Sequence, residues 1–109
     1  MEGEKCTVLV IDDEQSIRRF LEKELETSSR KVLTAATGKE AKSTLKSHWV
    51  DVIVMDMRLP DVDDLELLIS VKESVAYVEV IMITGHGDVD SAVEAMKYGA
   101  YDFIQKPFN

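Results

Sequence analysis

Cysteine is almost absent from this chain. Cys6 stands alone, so no internal disulfide can form and a four-thiolate metal site is excluded. It opens an apolar run, and a small buried hydrophobe is the expected reading rather than a reactive thiol. Positive charge is also scarce. Thirteen lysines and arginines stand against 21 aspartates and glutamates, for a net charge of −8. Only Arg18-Arg19 and Arg30-Lys31 are adjacent cations, so no basic patch exists to overcome phosphate repulsion, and direct nucleic-acid binding is not expected. No apolar run approaches the roughly 20 residues that a membrane helix needs. The opening MEGEKC lacks the basic start and apolar stretch of a secretion signal, which makes a cytoplasmic location the expectation. There is no repeat, low-complexity linker or second domain. The 109 residues fit one domain over the whole chain, 1–109.

What is present is an alternation. Short, β-branched apolar runs occur at Cys6–Ile11, Val32–Ala36, Val50–Met55, Val78–Ile83 and Asp102–Gln105. Near-continuous apolar strands suit a parallel sheet buried on both faces. Between them lie helical patterns. In 14–28, Ile17, Phe20, Leu21 and Leu25 share one stripe. Thr37-Gly38-Lys39-Glu40 has the form of a capping box, opening a helix with Ala41 and Leu45 inward. Asp63 or Asp64 can cap a helix carrying Leu65, Leu68 and Ile69. Asp88 can cap one carrying Val89, Ala92, Val93 and Met96, which Gly99 should stop. The expected fold is therefore α/β, a doubly wound parallel five-stranded sheet. A helix would normally follow the last strand, and no residues are left for one. An excised piece of a longer protein is the expectation, with apolar flanks of the first and fifth strands left uncovered.

Open α/β sheets bind ligands outside the carboxyl ends of their strands. After the first strand come Asp12, Asp13 and Glu14; after the third, Asp56; after the fourth, Thr84, Gly85 and His86; after the fifth, Lys106 and Pro107. Carboxylates crowded at one sheet edge raise one another's pKa unless something positive sits among them. Mg²⁺ suits such a place, because it takes oxygen ligands, keeps several waters and accepts phosphate oxygens. The charges agree: Asp12, Asp13 and Asp56 carry −3, Mg²⁺ and Lys106 carry +3. Aspartate can also attack phosphorus and form an aspartyl phosphate. A metal and a fixed lysine would stabilise the transferring oxygens, and the Thr84 hydroxyl could donate to the product.

These residues, in this order and each at a strand end, resemble the receiver domain of two-component response regulators, from about Thr7 to Phe108. The resemblance implies the flavodoxin-like strand order 2-1-3-4-5. It implies that Asp56 is the phosphoacceptor, charged by a sensor histidine kinase. Asp13 and Asp56 would bind Mg²⁺ directly, Asp12 through water, and the Arg58 backbone carbonyl would complete the protein ligands. Thr84 and Lys106 would hold the phosphoryl group. Phe103 takes the place of the switch aromatic, and being Phe it has no hydroxyl to use. The stretch Thr84–Phe108 resembles receivers of the nitrogen-regulation type, which precede an ATPase domain that activates transcription. The implied role is a phosphorylation-activated switch that controls an output domain and can form a homodimer. It would be no enzyme beyond assisting its own phosphorylation and dephosphorylation. Asp64 stands where the family often has Gly, in Pro60-Asp61-Val62-Asp63-Asp64-Leu65.

Two rivals share parts of this pattern. A Mg²⁺-dependent phosphatase of haloacid-dehalogenase type also forms an aspartyl phosphate, but needs its nucleophile after the first strand in a D-x-D arrangement. A flavodoxin-type flavin module needs a first loop that cradles phosphate, which Asp12 and Asp13 would repel. The remaining residues read as ordinary structure. His48 and Trp49 sit at a helix-to-strand turn, His86 is a loop histidine, and Met55, Met57, Met82 and Met96 are spaced as core filler.

Overall fold

The computed structural model describes residues 6–63, 65–75, 77–85 and 89–106. Strands and helices alternate along the chain: β1 Cys6–Ile11, α1 Gln15–Leu25, β2 Arg30–Ala35, α2 Gly38–Ser47, β3 Val52–Asp56, α3 Glu66–Ser74, β4 Glu79–Thr84, α4 Val89–Lys97 and β5 Asp102–Gln105. All strand pairs are parallel, and the order is β2-β1-β3-β4-β5. Sequence periodicity located all five strands. It begins β3 two residues early, because Val50 is buried although it precedes the strand, and misses Arg30 and Lys31 of β2, because polar strand ends carry no apolar signal.

Successive side chains of a strand point to opposite faces, so each strand feeds two cores. Leu9, Ile11, Ile53, Met55, Val80 and Met82 face a large core closed by Ala41 of α2, Leu67, Leu68 and Val71 of α3, and Ala92 and Ala95 of α4. Val8, Val10, Val32, Val54 and Ile83 face a smaller one, packed with Leu21 and Leu25 of α1. Among the described residues, one helix therefore covers one face and three cover the other.

Several expectations are corrected. Cys6 is exposed, because it begins β1 before the covering helices reach it. On α1, Phe20 points partly to solvent, while Leu21 and Leu25 carry the packing. Helix α4 turns Ala92 and Ala95 inward and leaves Val93 and Met96 half exposed, so Met96 is no core filler. A strip of alanines lets a helix backbone lie close to the sheet, and that selects a face that an apolar stripe cannot distinguish. The Asp63 side chain does not cap α3. Its backbone carbonyl accepts from Glu66 N–H at 3.1 Å. Asp64 and Asp88, the other proposed caps, lie outside the described residues. Of the two flanks expected to be bare, only that of β5 is: Ile104 is exposed, whereas Val8 and Val10 of β1 are buried. Half of the capping box is present, with Glu40 N–H donating to Thr37 Oγ1 at 3.1 Å; the Glu40 carboxylate accepts from Ala36 N–H at 3.0 Å, one residue before the cap. Gly99 stops α4 with a φ of +104°, in the left-handed region where a side chain would be strained.

Candidate functional site at the carboxyl edge of the sheet

The ladder runs one residue past several strand ends and so fixes the residues just beyond them. Asp12 N–H donates to Ala35 O at 3.1 Å, Met57 N–H to Ile83 O at 3.0 Å, and Lys106 N–H to Thr84 O at 2.7 Å. Asp12, Asp56, Thr84 and Lys106 are thereby gathered at one edge by backbone bonds alone.

Asp12, Asp56 and Thr84 are the buried polar residues of the described chain, at 0%, 6% and 1% exposure. Asp13, beside them, is exposed. One carboxylate oxygen from each of Asp12, Asp13 and Asp56 lies within 4.8 Å of the others. Lys106 Nζ reaches into the cluster, 3.2 Å from Asp12 Oδ2 and 3.6 Å from Asp56 Oδ2. It donates a hydrogen bond to Glu14 Oε1 at 3.0 Å. The buried Asp12 Oδ2 is met by the Lys106 ammonium as an ion pair, with no other partner among the described residues. The other oxygen of Asp12 accepts from Glu14 N–H at 2.9 Å, and Arg18 donates to the Asp12 carbonyl at 2.8 Å. Asp56 Oδ1 accepts from Arg58 N–H at 3.1 Å.

The electrostatics follow from this geometry. Burial pushes the Asp56 carboxyl up to about 6; the Arg58 N–H opposes the rise, Asp12 and Asp13 add to it, and Lys106 moderates it. Burial works against the charge of Lys106, but the Glu14 hydrogen bond and the Asp56 and Asp12 charges outweigh it, and its pKa rises. Thr84 Oγ1 is buried without a hydrogen-bond partner among the described residues. A buried hydroxyl without a partner, and buried carboxylates crowded around a single lysine, are costly in a finished core. They suit a site that receives a cation and an anionic group, and the all-oxygen donor set fits a hard cation.

The expected residues Asp12, Asp13, Asp56 and Lys106 are thus brought together, and the Thr84 carbonyl is the acceptor that holds the Lys106 backbone. Phe103 is different. It lies on β5 opposite Met82 and packs, half-buried, against the larger core. His86 and Pro107 lie outside the described residues. Glu14 and Arg18 carry contacts that the sequence did not single out. Glu14 was visible as the third acid after β1, but nothing local distinguishes a partner of Lys106 from a solvated carboxylate.

The pattern of the response regulator receiver domain family matches residues 8–109. The chain belongs to that family. It is 44% identical over 101 residues to the C4-dicarboxylate transport transcriptional regulatory protein DctD of Pseudomonas aeruginosa, covering 93% of this chain. It is 39% identical over 102 residues to the DNA-binding transcriptional regulator NtrC of Escherichia coli, covering 94%. This receiver spans 22% of the length of each of these relatives. Among solved structures, NtrX from Brucella abortus superposes with a TM-score of 0.90 at 34% identity, over 96% of this chain and 24% of that one. The domain is a phosphorylation-controlled switch of the NtrC, DctD and NtrX type. The phosphatase alternative finds no support: the relatives are receivers, and Asp56 is the last residue of β3 rather than a residue after β1. No helix among the described residues is long and apolar enough to cross a membrane.

Proposed function

We propose that Asp56 accepts a phosphoryl group from the phosphohistidine of a sensor kinase. The observation that carries this reading is the placement of Lys106 Nζ 3.6 Å from Asp56 Oδ2, inside the carboxylate cluster of Asp12, Asp13 and Asp56. One Asp56 oxygen attacks phosphorus; the new P–O bond forms as the P–N bond to the histidine breaks. The leaving imidazole nitrogen keeps the electron pair and takes a proton. Asp13 and Asp56 would hold Mg²⁺ directly, Asp12 through water and Arg58 through its backbone carbonyl. When bound, the ion neutralises charge on the transferring oxygens. Lys106 supplies a second positive charge at the same oxygens, and the Thr84 hydroxyl gains an acceptor in the product.

The aspartyl phosphate carries about −1.5 to −2 charge at neutral pH, in place of at most −1 on the free carboxylate. That draws Lys106 from Glu14 and Thr84 toward the new group, and Phe103 repacks against the core. The surface that changes is the apolar one of Val93, Met96, Tyr98 and Tyr101, on α4 and in the turn that leads into β5, all exposed. This face meets the output domain or a second copy of the domain. An ATPase that activates transcription is the output consistent with the relatives, and the cytoplasm is where it would act. The domain turns over no other substrate.

The test is intact mass after incubation with Mg²⁺ and acetyl phosphate. Wild type should gain one phosphoryl group, and neither Asp56→Asn nor chelated wild type should. A gain on Asp56→Asn would move the acceptor elsewhere.

A further inference from the structure

Five residues past the proposed acceptor, Asp61 reaches across the molecule to another helix. Its two carboxylate oxygens accept from Gly38 N–H at 2.8 Å and Lys39 N–H at 3.0 Å, the first two amides of α2. These two N–H groups hold the Asp61 carboxyl below its usual range. The helix already has a local cap in Thr37, whose hydroxyl accepts from Glu40 N–H. Asp61 therefore takes the two amides that this local cap leaves over. The contact is also close in its packing. A Cβ on Gly38 would lie 2.8 Å from one methyl of Val62 and 3.3 Å from the other, so the loop rests directly on the α2 backbone.

The other end of the same loop is tied to the sheet. Met57 N–H donates to Ile83 O, Arg58 N–H donates to the Asp56 carboxylate, and Met57 and Leu59 are buried. A short segment is thus held at both ends, by β4 and by α2, and Arg58 lies between.

We infer that Asp61 is a positioning residue: it latches the loop of residues 57–62 onto the amino end of α2 and so fixes the Arg58 backbone beside Asp56. This rests on the reading of Asp56 as acceptor and of the Arg58 carbonyl as a metal ligand. It goes beyond it in naming what holds the loop, and it makes α2 part of the support of the site. Outer supports of this kind typically change metal affinity by 10–100-fold when removed.

The alternative is that Asp61 is only a second helix cap. Four variants of the whole chain separate the two. Asp61→Ala removes the latch, and Gly38→Ala pushes the loop away through Val62. Thr37→Ala removes the other cap of the same helix without touching the loop. Asp61→Asn keeps one acceptor oxygen. Three quantities are measured: hydrogen exchange of the Arg58 amide in metal-free protein, the Mg²⁺ midpoint followed by backbone amide shifts, and the rate of phosphoryl gain by intact mass. Asp61→Ala and Gly38→Ala should speed Arg58 exchange and raise the Mg²⁺ midpoint by about tenfold. Phosphoryl gain should slow in parallel, and Asp61→Asn should fall between these variants and wild type. Thr37→Ala should lower the melting temperature as much as Asp61→Ala while leaving all three quantities near wild type. If Asp61→Ala and Thr37→Ala behave alike, the latch is overturned. Should wild type neither bind Mg²⁺ nor gain a phosphoryl group, the proposed function fails, and Arg58 exchange alone still decides the latch.

Discussion

Two aspartates five residues apart, Asp51 and Asp56, flank β3 at opposite edges of the same sheet and live in opposite circumstances. At the amino edge, Asp51 is fully partnered: Thr7 N–H donates to one oxygen at 2.8 Å and the Trp49 indole N–H to the other at 3.0 Å. Trp49 is further held by stacking on Tyr77, with ring centroids 4.3 Å apart. At the carboxyl edge, Asp56 has one backbone donor, two neighbouring carboxylates and a lysine shared with Glu14. Its proton is held up to about pH 6. One edge is finished by the chain itself. The other carries groups whose needs are met only when a cation and an anion arrive, and it is the edge where loss of stability is traded for a switch.

The contrast can be broken in four ways. The largest effect is all or none. Asp56→Asn should abolish phosphoryl gain in the mass measurement, while Asp51→Ala should leave its rate unchanged. Next comes the metal. At a Mg²⁺ concentration of 100 times its dissociation constant, wild type should gain about 2.7 kcal/mol in denaturant unfolding, and Asp13→Asn should lose most of that gain. An equal gain in Asp13→Asn would remove it from the metal set.

The two aspartates should then differ in sign. Asp51→Ala leaves two donors unpaired and should destabilise by about 1–3 kcal/mol. Asp56→Asn, without metal at pH 7, should stabilise on the order of 2 kcal/mol. Between the unfolded value of 3.8 and the folded value of about 6, native Asp56 keeps its proton while the unfolded chain has lost it. Wild-type stability should therefore fall as pH rises through that window, and the advantage of Asn should vanish near pH 4. Unfolding free energies measured across pH 4–7 check both. The smallest effect concerns Thr84. Its hydroxyl lacks a hydrogen-bond partner among the described residues, so Thr84→Val should change stability by less than about 1 kcal/mol while altering the lifetime of the phosphorylated form. A larger loss of stability would mean that the hydroxyl already serves the resting fold.

Strand positions and the residues at or just beyond their ends were legible because both signals are local; Asp56 and Thr84, expected after their strands, are the last residues of β3 and β4. An apolar run ends in a polar residue, and in a parallel sheet the ends of neighbouring strands share an edge. Asp12, Asp13, Asp56, Thr84 and Lys106 could therefore be named from spacing. The inward faces of helices were less legible. In α4 the apolar stripe is wider than the buried face, and the alanines, not Val93 and Met96, are packed inward. Cys6 misled because apolar character says nothing about how far the covering helices extend.

The order of elements and the list of acidic, hydroxyl and lysine side chains at one sheet edge were written into the chain, since hydrophobic period and turn position act over a few residues. Only the tertiary structure decided which of those groups touch. Glu14 and Lys106 meet across 92 residues, and Asp61 and α2 across 22 and 23. Burial of Asp56 at the carboxyl edge of the sheet is the main cause of its raised proton affinity. Contacts of that separation, and the desolvation that goes with them, exist only once the sheet has brought distant strand ends together.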